Sequence, residues 1–251
     1  MAKQLSVLMI TKNAEEMLER SLESVSGLVD EVVIIDDYSV DKTKEIAKRF
    51  GCRYYLHHDV DLGRQRRYGI EKTTCKWVLV LDADETVSYS LYKQIKRVVN
   101  KKNNTYNGYF IQFQNHYLGR QIQFGGESYK KLWFIRKAYA TINPSLIHET
   151  FHLKRGKIGL LKGKIFHYSY RSIIQMYQKF TDYALRQAKQ RSKKGEKTNL
   201  KKIFLNPAHM FWARFVEDDG YKDGFFRIPL DLGFAYMEFL TYFSMLFSKK
   251  K

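Results

Sequence analysis

The chain has 251 residues, 44% of them hydrophobic, and a formal net charge of +18. This length and hydrophobic content support one large α/β domain with its own core and exclude a disordered chain. The positive charge favours anionic partners, which include nucleotide phosphates, nucleic acid and anionic membranes, and does not choose among them. The first residues contain no apolar stretch long enough for a secretory signal, so we expect a cytosolic protein.

Strands and helices alternate through the first third of the sequence. Apolar runs predict strands at 4–11, 31–37, 52–58 and 77–85. Helical signals occupy the segments between them, at 14–25, 41–51 and 63–74. Continuous apolar strands separated by helices predict an α/β fold with a parallel sheet covered on both faces. Ligands of such sheets bind at the carboxyl ends of the strands, where polar residues stand at 11–13, 36–37 and 82–85.

The pattern changes after residue 105. The segments 106–119 and 129–137 predict strands, and 171–194 predicts a long helix with a basic end. Eight Lys or Arg residues fall between Arg186 and Lys202, against a single acid. Such a run is either a solvated helix end or a surface that docks to anionic lipid headgroups, and we prefer docking.

The last segment, 230–251, is apolar nearly all round. It carries two acids, Asp231 and Glu238, which argue against a helix that spans a bilayer. Two interpretations stay open, a helix at a membrane interface and a helix packed under the main domain.

The stretch "WVLVLDADET" (77–86) places Asp82, Asp84 and Glu85 after a buried strand. An Asp-x-Asp pair at such a strand end suits Mg²⁺ or Mn²⁺, because these hard cations bind carboxylates and share their remaining positions with phosphates. The pair alone is a weak signal, since exposed acidic strand ends are common. A second cluster, "IIDDYSVDKT" (34–43), adds Asp36 and Asp37, whose carboxylates can accept hydrogen bonds from a base or a ribose.

Together these motifs carry a resemblance. The segments "TKNAEE" (11–16), "DDYSVDKT" (36–43), "GRQRRYGI" (63–70) and "LDADE" (81–85) resemble the family 2 glycosyltransferases of the GT-A fold. Tyr38 stands where the usual second motif has glycine, and Arg67 where the third motif more often has asparagine. Further segments resemble the bacterial lipopolysaccharide inner-core glucosyltransferases, which add β-linked glucose to heptose: "LIHETF" (146–151), "LKGKIFHYSYRS" (161–172) and "DGYKDGFFR" (219–227).

The resemblance implies a GT-A fold, with a Rossmann-like, mostly parallel sheet flanked by helices. The basic run and the apolar last segment predict a C-terminal helical region that associates with a membrane. It implies inverting, metal-dependent transfer of a sugar from a nucleotide diphosphate donor, with UDP-glucose favoured. By position, the residues that line the base and ribose would be Thr11, Asn13, Asp36 and Asp37. Arg66 would approach the base or diphosphate, Asp82 would lie near the ribose and metal, and Asp84 would bind the metal.

Inversion requires a base that takes the proton of the acceptor hydroxyl. Glu149, in the "HET" segment, is our first choice, and Glu127, in "GGES", is the second. His167 and His148 are interpreted either as metal or diphosphate contacts or as packed histidines. Trp133 and Arg136 are expected to shape the acceptor pocket, with a core tryptophan and a surface arginine as the equal alternatives.

The predicted organisation is a catalytic domain over 1–170 and a basic, aromatic helical region over 171–251. The nucleotide-sugar half of the catalytic domain is assigned to 1–100 and the acceptor half to 101–170. We expect a lipid-anchored glycan acceptor and a peripheral location on the inner face of the cytoplasmic membrane. Two alternatives remain, a transferase that uses a polyisoprenyl-phosphate acceptor and a nucleic-acid-binding protein. The second is disfavoured because no stacking platform or helix-turn-helix pattern is present, so no nucleic-acid partner is expected.

Overall fold

The computed structural model describes residues 4–143 and 150–247. These residues form two compact units, and the chain enters the second unit twice. The first unit takes the described residues of Met1–Phe113 and Tyr129–His167, and the second takes those of Gln114–Ser128 and Tyr168–Lys251. The insertion at 114–128 is not visible in the predicted organisation, which places its boundary after residue 170.

The first unit is an α/β structure. Its helices are α1 (Leu18–Val25), α2 (Thr43–Arg49), α3 (Leu62–Lys72) and α4 (Tyr89–Asn100). Its first strands are β1 (Leu5–Thr11), β2 (Glu31–Asp36), β3 (Arg53–Leu56), β4 (Trp77–Val80) and β5 (Glu85–Val87). The strands β3, β2, β1 and β4 are neighbours in that order and run parallel, as the sequence predicts.

The sheet continues with strands from later in the chain. These are β6 (Tyr106–Tyr117), β8 (Lys130–Arg136) and β11 (Lys157–Tyr170), and both β6 and β11 run on into the second unit. Along the chain, the short strands β7 (Arg120–Gln121), β9 (Ala140–Asn143) and β10 (Thr150–Leu153) lie between these three, and β9 and β10 form a separate two-stranded sheet. The order after β4 is β8, β6, β11 and β5, with antiparallel pairing of β4 to β8, β8 to β6 and β11 to β5.

The parallel strands are buried because helices cover them. In β1, Leu5 and Val7 point to one face of the sheet and Leu8 to the other, and all three are fully buried. Helix α3 approaches this layer closely at Gly69, where a Cβ atom would collide with Leu8 and lie 2.9 Å from Ile35 Cγ1. Glycine at this position therefore sets the distance at which α3 packs on the sheet.

The predicted strand 77–85 is shorter in the structure. Strand β4 ends at Val80, and the acidic stretch forms a turn before Glu85 starts β5. In β5, Glu85 lies opposite His167 of β11 in an antiparallel pair. The reversal brings a histidine from far along the chain to the acidic turn.

The second unit is built mainly from helices. They are α5 (Ile173–Lys193), α6 (Leu200–Trp212) and α7 (Ile228–Phe247), and a π-helical turn at Ala213–Glu217 follows α6. The core between α5 and α7 includes Met176, Phe180, Leu230 and Met237. Helix α7 is therefore packed against α5 within its own unit. Among the described residues, none of the helices is sufficiently long and apolar to cross a membrane.

A buried ionic network holds the second unit together. Arg227 is fully buried and pairs with Asp231 at 2.8 Å and Asp223 at 2.6 Å. Arg214 pairs with Asp231 at 3.3 Å and with Glu127, which links the 114–128 insertion to the helices. The motif at 219–227 therefore has a structural role within this unit.

Candidate active site at the strand ends

The carboxyl ends of β1 and β2 are joined by Asp36. Its fully buried carboxylate accepts hydrogen bonds from the Thr11 hydroxyl at 2.7 Å and from the Ser39 backbone N–H and hydroxyl at 2.7 and 2.6 Å. Burial and a hydrogen bond with this carboxylate raise the pKa of Tyr54. The structure thus brings Thr11 and Asp36 together as predicted, and it shows that Asp36 shapes the loop after β2.

The loops after β1 and β2 are also fixed to each other by Asn13. Its backbone N–H donates to Ser39 Oγ at 2.7 Å, and its side-chain oxygen accepts from the Val40 N–H at 3.0 Å. Asn13 and Tyr38 both have left-handed backbones, with φ of 49° and 54°. Glycine adopts this conformation without strain, which explains why glycine is usual at the position of Tyr38 in the family that the motifs resemble.

Asp37 contacts a lysine and a histidine at the same edge of the sheet. It lies 2.8 Å from Lys12 Nζ and 2.5 Å from His58 Nδ1. Burial acts to raise the pKa of Asp37, but the hydrogen bonds and charges of Lys12 and His58 outweigh it and hold the pKa below its ordinary value. Asp37 therefore stays ionised near neutral pH.

Arg66 and Asp82 form a bidentate pair between α3 and the acidic turn. The two nitrogen–oxygen distances are 2.9 and 3.2 Å, and the side chains are 4% and 26% exposed. Burial acts to raise the pKa of Asp82, yet the charge and hydrogen bonds of Arg66 lower it. The guanidinium also lies 5.2 Å from the centre of the Trp133 ring. The predicted residues Arg66 and Asp82 are thus brought together, and Asp82 fixes the orientation of Arg66.

Asp84 and His167 face each other beside this pair. His167 Nε2 lies 3.5 Å from Asp84 Oδ1, and the side chains are 15% and 27% exposed. A carboxylate and an imidazole at this spacing are compatible with a divalent cation whose other ligands come from a substrate. Within the ranges 4–143 and 150–247, no group of three or more His, Cys, Asp or Glu side chains is arranged to hold a metal alone.

Glu85 is a buried carboxyl at the same turn, with 1% exposure. One oxygen accepts from the Asp82 N–H at 2.9 Å, and Oε1 has no hydrogen-bond partner in the described part of the chain. Burial, reinforced by the charge of Asp82, raises the pKa of Glu85 to about 7, while His167 opposes the rise. The two neighbouring carboxyls therefore differ in pKa, because that of Asp82 is lowered and that of Glu85 is raised.

Lys131 is a site residue absent from the sequence predictions. It lies on β8, with Nζ 4.8 Å from the centre of the Trp133 ring. Its charge contributes to the low pKa of Asp82 and opposes the rise in the pKa of Glu85. Lys131 and Trp133 are two residues apart on a strand, so they share one face of the sheet. This alternation in "YKKLWFIRK" is the sequence signal that points to Lys131.

Trp133 and Arg136 have different locations. Trp133 is 1% exposed, contacts Phe151 edge-on at 5.4 Å, and keeps an Nε1–H without a partner among the described residues. Arg136 lies opposite Trp77, the first residue of β4, whereas the acidic turn follows the last residue of that strand. Because the length of β4 separates them, Arg136 lies away from the carboxylates, and its contact with an acceptor stays a prediction.

The candidate bases also differ in placement. Glu149 and His148 lie outside the described residues. Glu127 belongs to the second unit, is 2% exposed, and accepts from Asn115 at 2.6 Å and from Arg214. Since both oxygens are occupied and the group is buried, Glu127 is a structural residue of that unit and is a poor candidate base.

Comparisons with known proteins agree with this geometry. Residues 6–161 match the family described as Glycosyl transferase family 2. The chain is 30% identical over 249 residues to an uncharacterized glycosyltransferase of Rickettsia typhi, covering 95% of this chain and 85% of the relative. It is 29% identical over 248 residues to one of Rickettsia prowazekii, with the same coverage. The solved structure of S. aureus TarS 1-349 in complex with UDP-GlcNAc is 13% identical, with a TM-score of 0.50 over 96% of this chain and 92% of that chain. This last similarity concerns the fold alone.

Proposed function

Because the chain belongs to Glycosyl transferase family 2 and is a glycosyltransferase, we propose that it transfers a sugar from a nucleotide diphosphate donor with inversion at the anomeric carbon. The observation that carries the proposal is the set of charged groups at the end of β4, where Arg66, Lys131 and the Asp84–His167 pair accompany Asp82. A donor of this class brings two negative phosphates, which such cations recognise.

A divalent cation, Mg²⁺ or Mn²⁺, fits the proposal. Asp84 and His167 would hold it, because they are partly exposed and already face each other. When bound, it would act as a Lewis acid that neutralises the departing diphosphate. Asp82 is engaged by Arg66 through both oxygens, which favours Asp84 as the principal ligand.

The residues of this chain then have separate tasks. Arg66, held in orientation by Asp82, and Lys131 would attract the diphosphate and stabilise its charge as the glycosidic bond breaks. Asn13 and Asp37 would contact the nucleoside at the ends of β1 and β2, while Asp36 holds the loop that presents them. The attacking hydroxyl would lose its proton to Glu149, which stays our candidate base.

The donor sugar and acceptor follow from the resemblance of the later segments. We infer that glucose is transferred from UDP-glucose to a lipopolysaccharide or lipooligosaccharide inner-core acceptor at the cytoplasmic face of the membrane. The net charge of +18 supports an anionic acceptor. Transfer to a polyisoprenyl phosphate is the second candidate, since it would share the donor site and differ in the acceptor.

Donor binding is tested by thermal unfolding with UDP, UDP-glucose, GDP-mannose or CMP, each with and without Mn²⁺. A ligand at about one hundred times its Kd should stabilise the folded protein by about 2.7 kcal/mol. We expect a rise with uridine nucleotides that requires Mn²⁺ and disappears in Asp84→Asn but persists in Glu23→Gln, which changes an exposed acid of α1. Unchanged unfolding temperatures with every nucleotide would contradict the proposed donor site.

The acceptor is tested by supplying labelled UDP-glucose with either heptose-terminated inner-core oligosaccharide or polyisoprenyl phosphate. Label in the oligosaccharide, as a β-linked glucose by NMR, is expected. Label in the polyisoprenyl product alone would replace the first acceptor with the second. Transfer of an α-linked sugar would refute inversion, because glucose in the donor has the α configuration.

A further inference from the structure

One end of the second unit exposes an apolar surface. There the C-terminal ends of α5 and α7 meet the start of α6, and Ala188, Ile203, Tyr242 and Met245 pack together beneath it. The exposed apolar side chains over this cluster, here called the aromatic end, are Leu200, Phe204, Phe243, Leu246 and Phe247.

The aromatic end is continuous across two helices. Phe204 of α6 lies 6.5 Å from Phe239 of α7, which lies 5.6 Å from Phe243, which in turn lies 5.4 Å from Phe247. Phe204, Phe243 and Phe247 are 64%, 41% and 72% exposed. Single exposed apolar residues need no explanation, but a connected row of large ones indicates a surface that is covered when the protein works.

Exposed lysines lie at the same end of the second unit. Lys193, Lys194, Lys197 and Lys201 are exposed on the end of α5, the connecting loop and the first turn of α6. Lys201 and Phe204 are three residues apart on α6, so they are neighbours on its surface.

The nearby acids are neutralised within the unit. Glu196 pairs with Lys202 at 2.9 Å, and Glu238 pairs with Arg191 at 3.3 Å. The hydroxyl of Tyr242 lies 3.4 Å from Glu196 as well. Since these carboxylates already have cationic partners, the exposed lysines give the aromatic end a positive surface.

We propose that the aromatic end docks on the surface of an anionic lipid bilayer. Exposed phenylalanines would enter the boundary between headgroups and acyl chains while the lysines contact anionic headgroups. A nucleic acid would use the lysines and can stack bases on the phenylalanines, but it would leave Leu200 and Leu246 without an apolar partner, whereas a bilayer covers all of these side chains. The proposal goes beyond the donor chemistry, because it depends on residues of the second unit alone.

The test is sedimentation of the full chain with phosphatidylcholine vesicles that contain or lack phosphatidylglycerol. A charge variant replaces Lys193, Lys194, Lys197 and Lys201 with glutamine. Its control replaces three exposed lysines of α2 and its start, Lys42, Lys44 and Lys48, and the two variants are compared per lysine. We expect the partition coefficient for anionic vesicles to fall about fivefold for each lysine lost from the aromatic end. The α2 control should fall much less.

An aromatic variant, Phe204→Ser with Phe247→Ser, tests the apolar contribution. Each change should lower partitioning about tenfold, whereas Tyr89→Ser, at a side chain 73% exposed in the first unit, should have little effect. Circular dichroism and the UDP-dependent thermal shift of the same variants establish that they are folded, and they separate failure of docking from failure of donor binding.

Three results would overturn the proposal. One is the absence of wild-type binding to anionic vesicles, and another is equal vesicle binding by the wild type and the aromatic variant. The third is a wild-type dimer in sedimentation velocity that the aromatic variant converts to monomer, because the surface would then belong to a second copy of the chain.

Discussion

Replacing Glu85 with glutamine should stabilise the protein increasingly as the pH rises. Burial raises the pKa of Glu85 from 4.5 to about 7. Between these values the folded protein holds a proton that the unfolded chain has released, so the free energy of unfolding falls as the pH increases. The difference corresponds to about 3 kcal/mol once the pH is above both values.

Glutamine removes the charge and keeps an oxygen that can accept the hydrogen bond from the Asp82 N–H. The stability difference between Glu85→Gln and wild type should therefore move by about 3 kcal/mol in favour of the variant from about pH 4 to about pH 8. Any cost of burying the new amide is nearly independent of pH and cancels from this change.

The assay is urea unfolding in the presence of EDTA, followed by tryptophan fluorescence. Trp77 and Trp133 are both buried in the first unit and report on its unfolding. Glu23→Gln, at an exposed position of α1, is the control. A difference between Glu85→Gln and wild type that is the same at every pH would show that burial does not raise this pKa.

Three further changes have defined outcomes. Lys131→Met should weaken UDP binding about tenfold in calorimetry by removing a cation from the acidic turn, whereas Lys130→Met, on the other face of β8, should not. Gly69→Ala should lower the free energy of unfolding in urea by about 1–3 kcal/mol, and unchanged stability would mean that α3 can move away from the sheet. Glu127→Gln should lower the free energy of unfolding by about 3 kcal/mol, because the half-buried Arg214 would lose this carboxylate and keep its longer contact with Asp231. A loss of helical circular dichroism at lower urea checks this, and an unaltered midpoint would refute it.

The parallel part of the sheet is readable from the sequence because its signals are local. The predicted run 4–11 corresponds to Leu5–Thr11, and 31–37 corresponds to Glu31–Asp36. Strands buried on both faces are continuously apolar, and the polar residues that follow mark their ends. The meeting of Thr11 with Asp36 then follows from the adjacency of the two strands.

Features that depend on the pairing of strands far apart in the chain are harder to predict from the sequence. The sequence 77–85 reads as one strand, since nothing local reveals that Glu85 pairs with His167 of β11. The position of Arg136 is likewise hidden in the sequence, because its distance from the acidic turn depends on the antiparallel direction of β8. Helix α4 is absent from the predictions although it carries a local signal, the Ser88 side chain that accepts a hydrogen bond from Leu91 N–H.

The second unit is built from two separate stretches of the chain, 114–128 and 168–251, and this limits how its sequence can be rearranged. The tail 168–251 contains Arg214 and Arg227 but not the Glu127 carboxylate or the Phe124 carbonyl oxygen that accept hydrogen bonds from them. As a separate fragment or a transplanted module, the tail would bury guanidinium groups without those acceptors. Exchange of the tail between related enzymes therefore requires the 114–128 insertion to be exchanged with it, so these two distant stretches are expected to be inherited together.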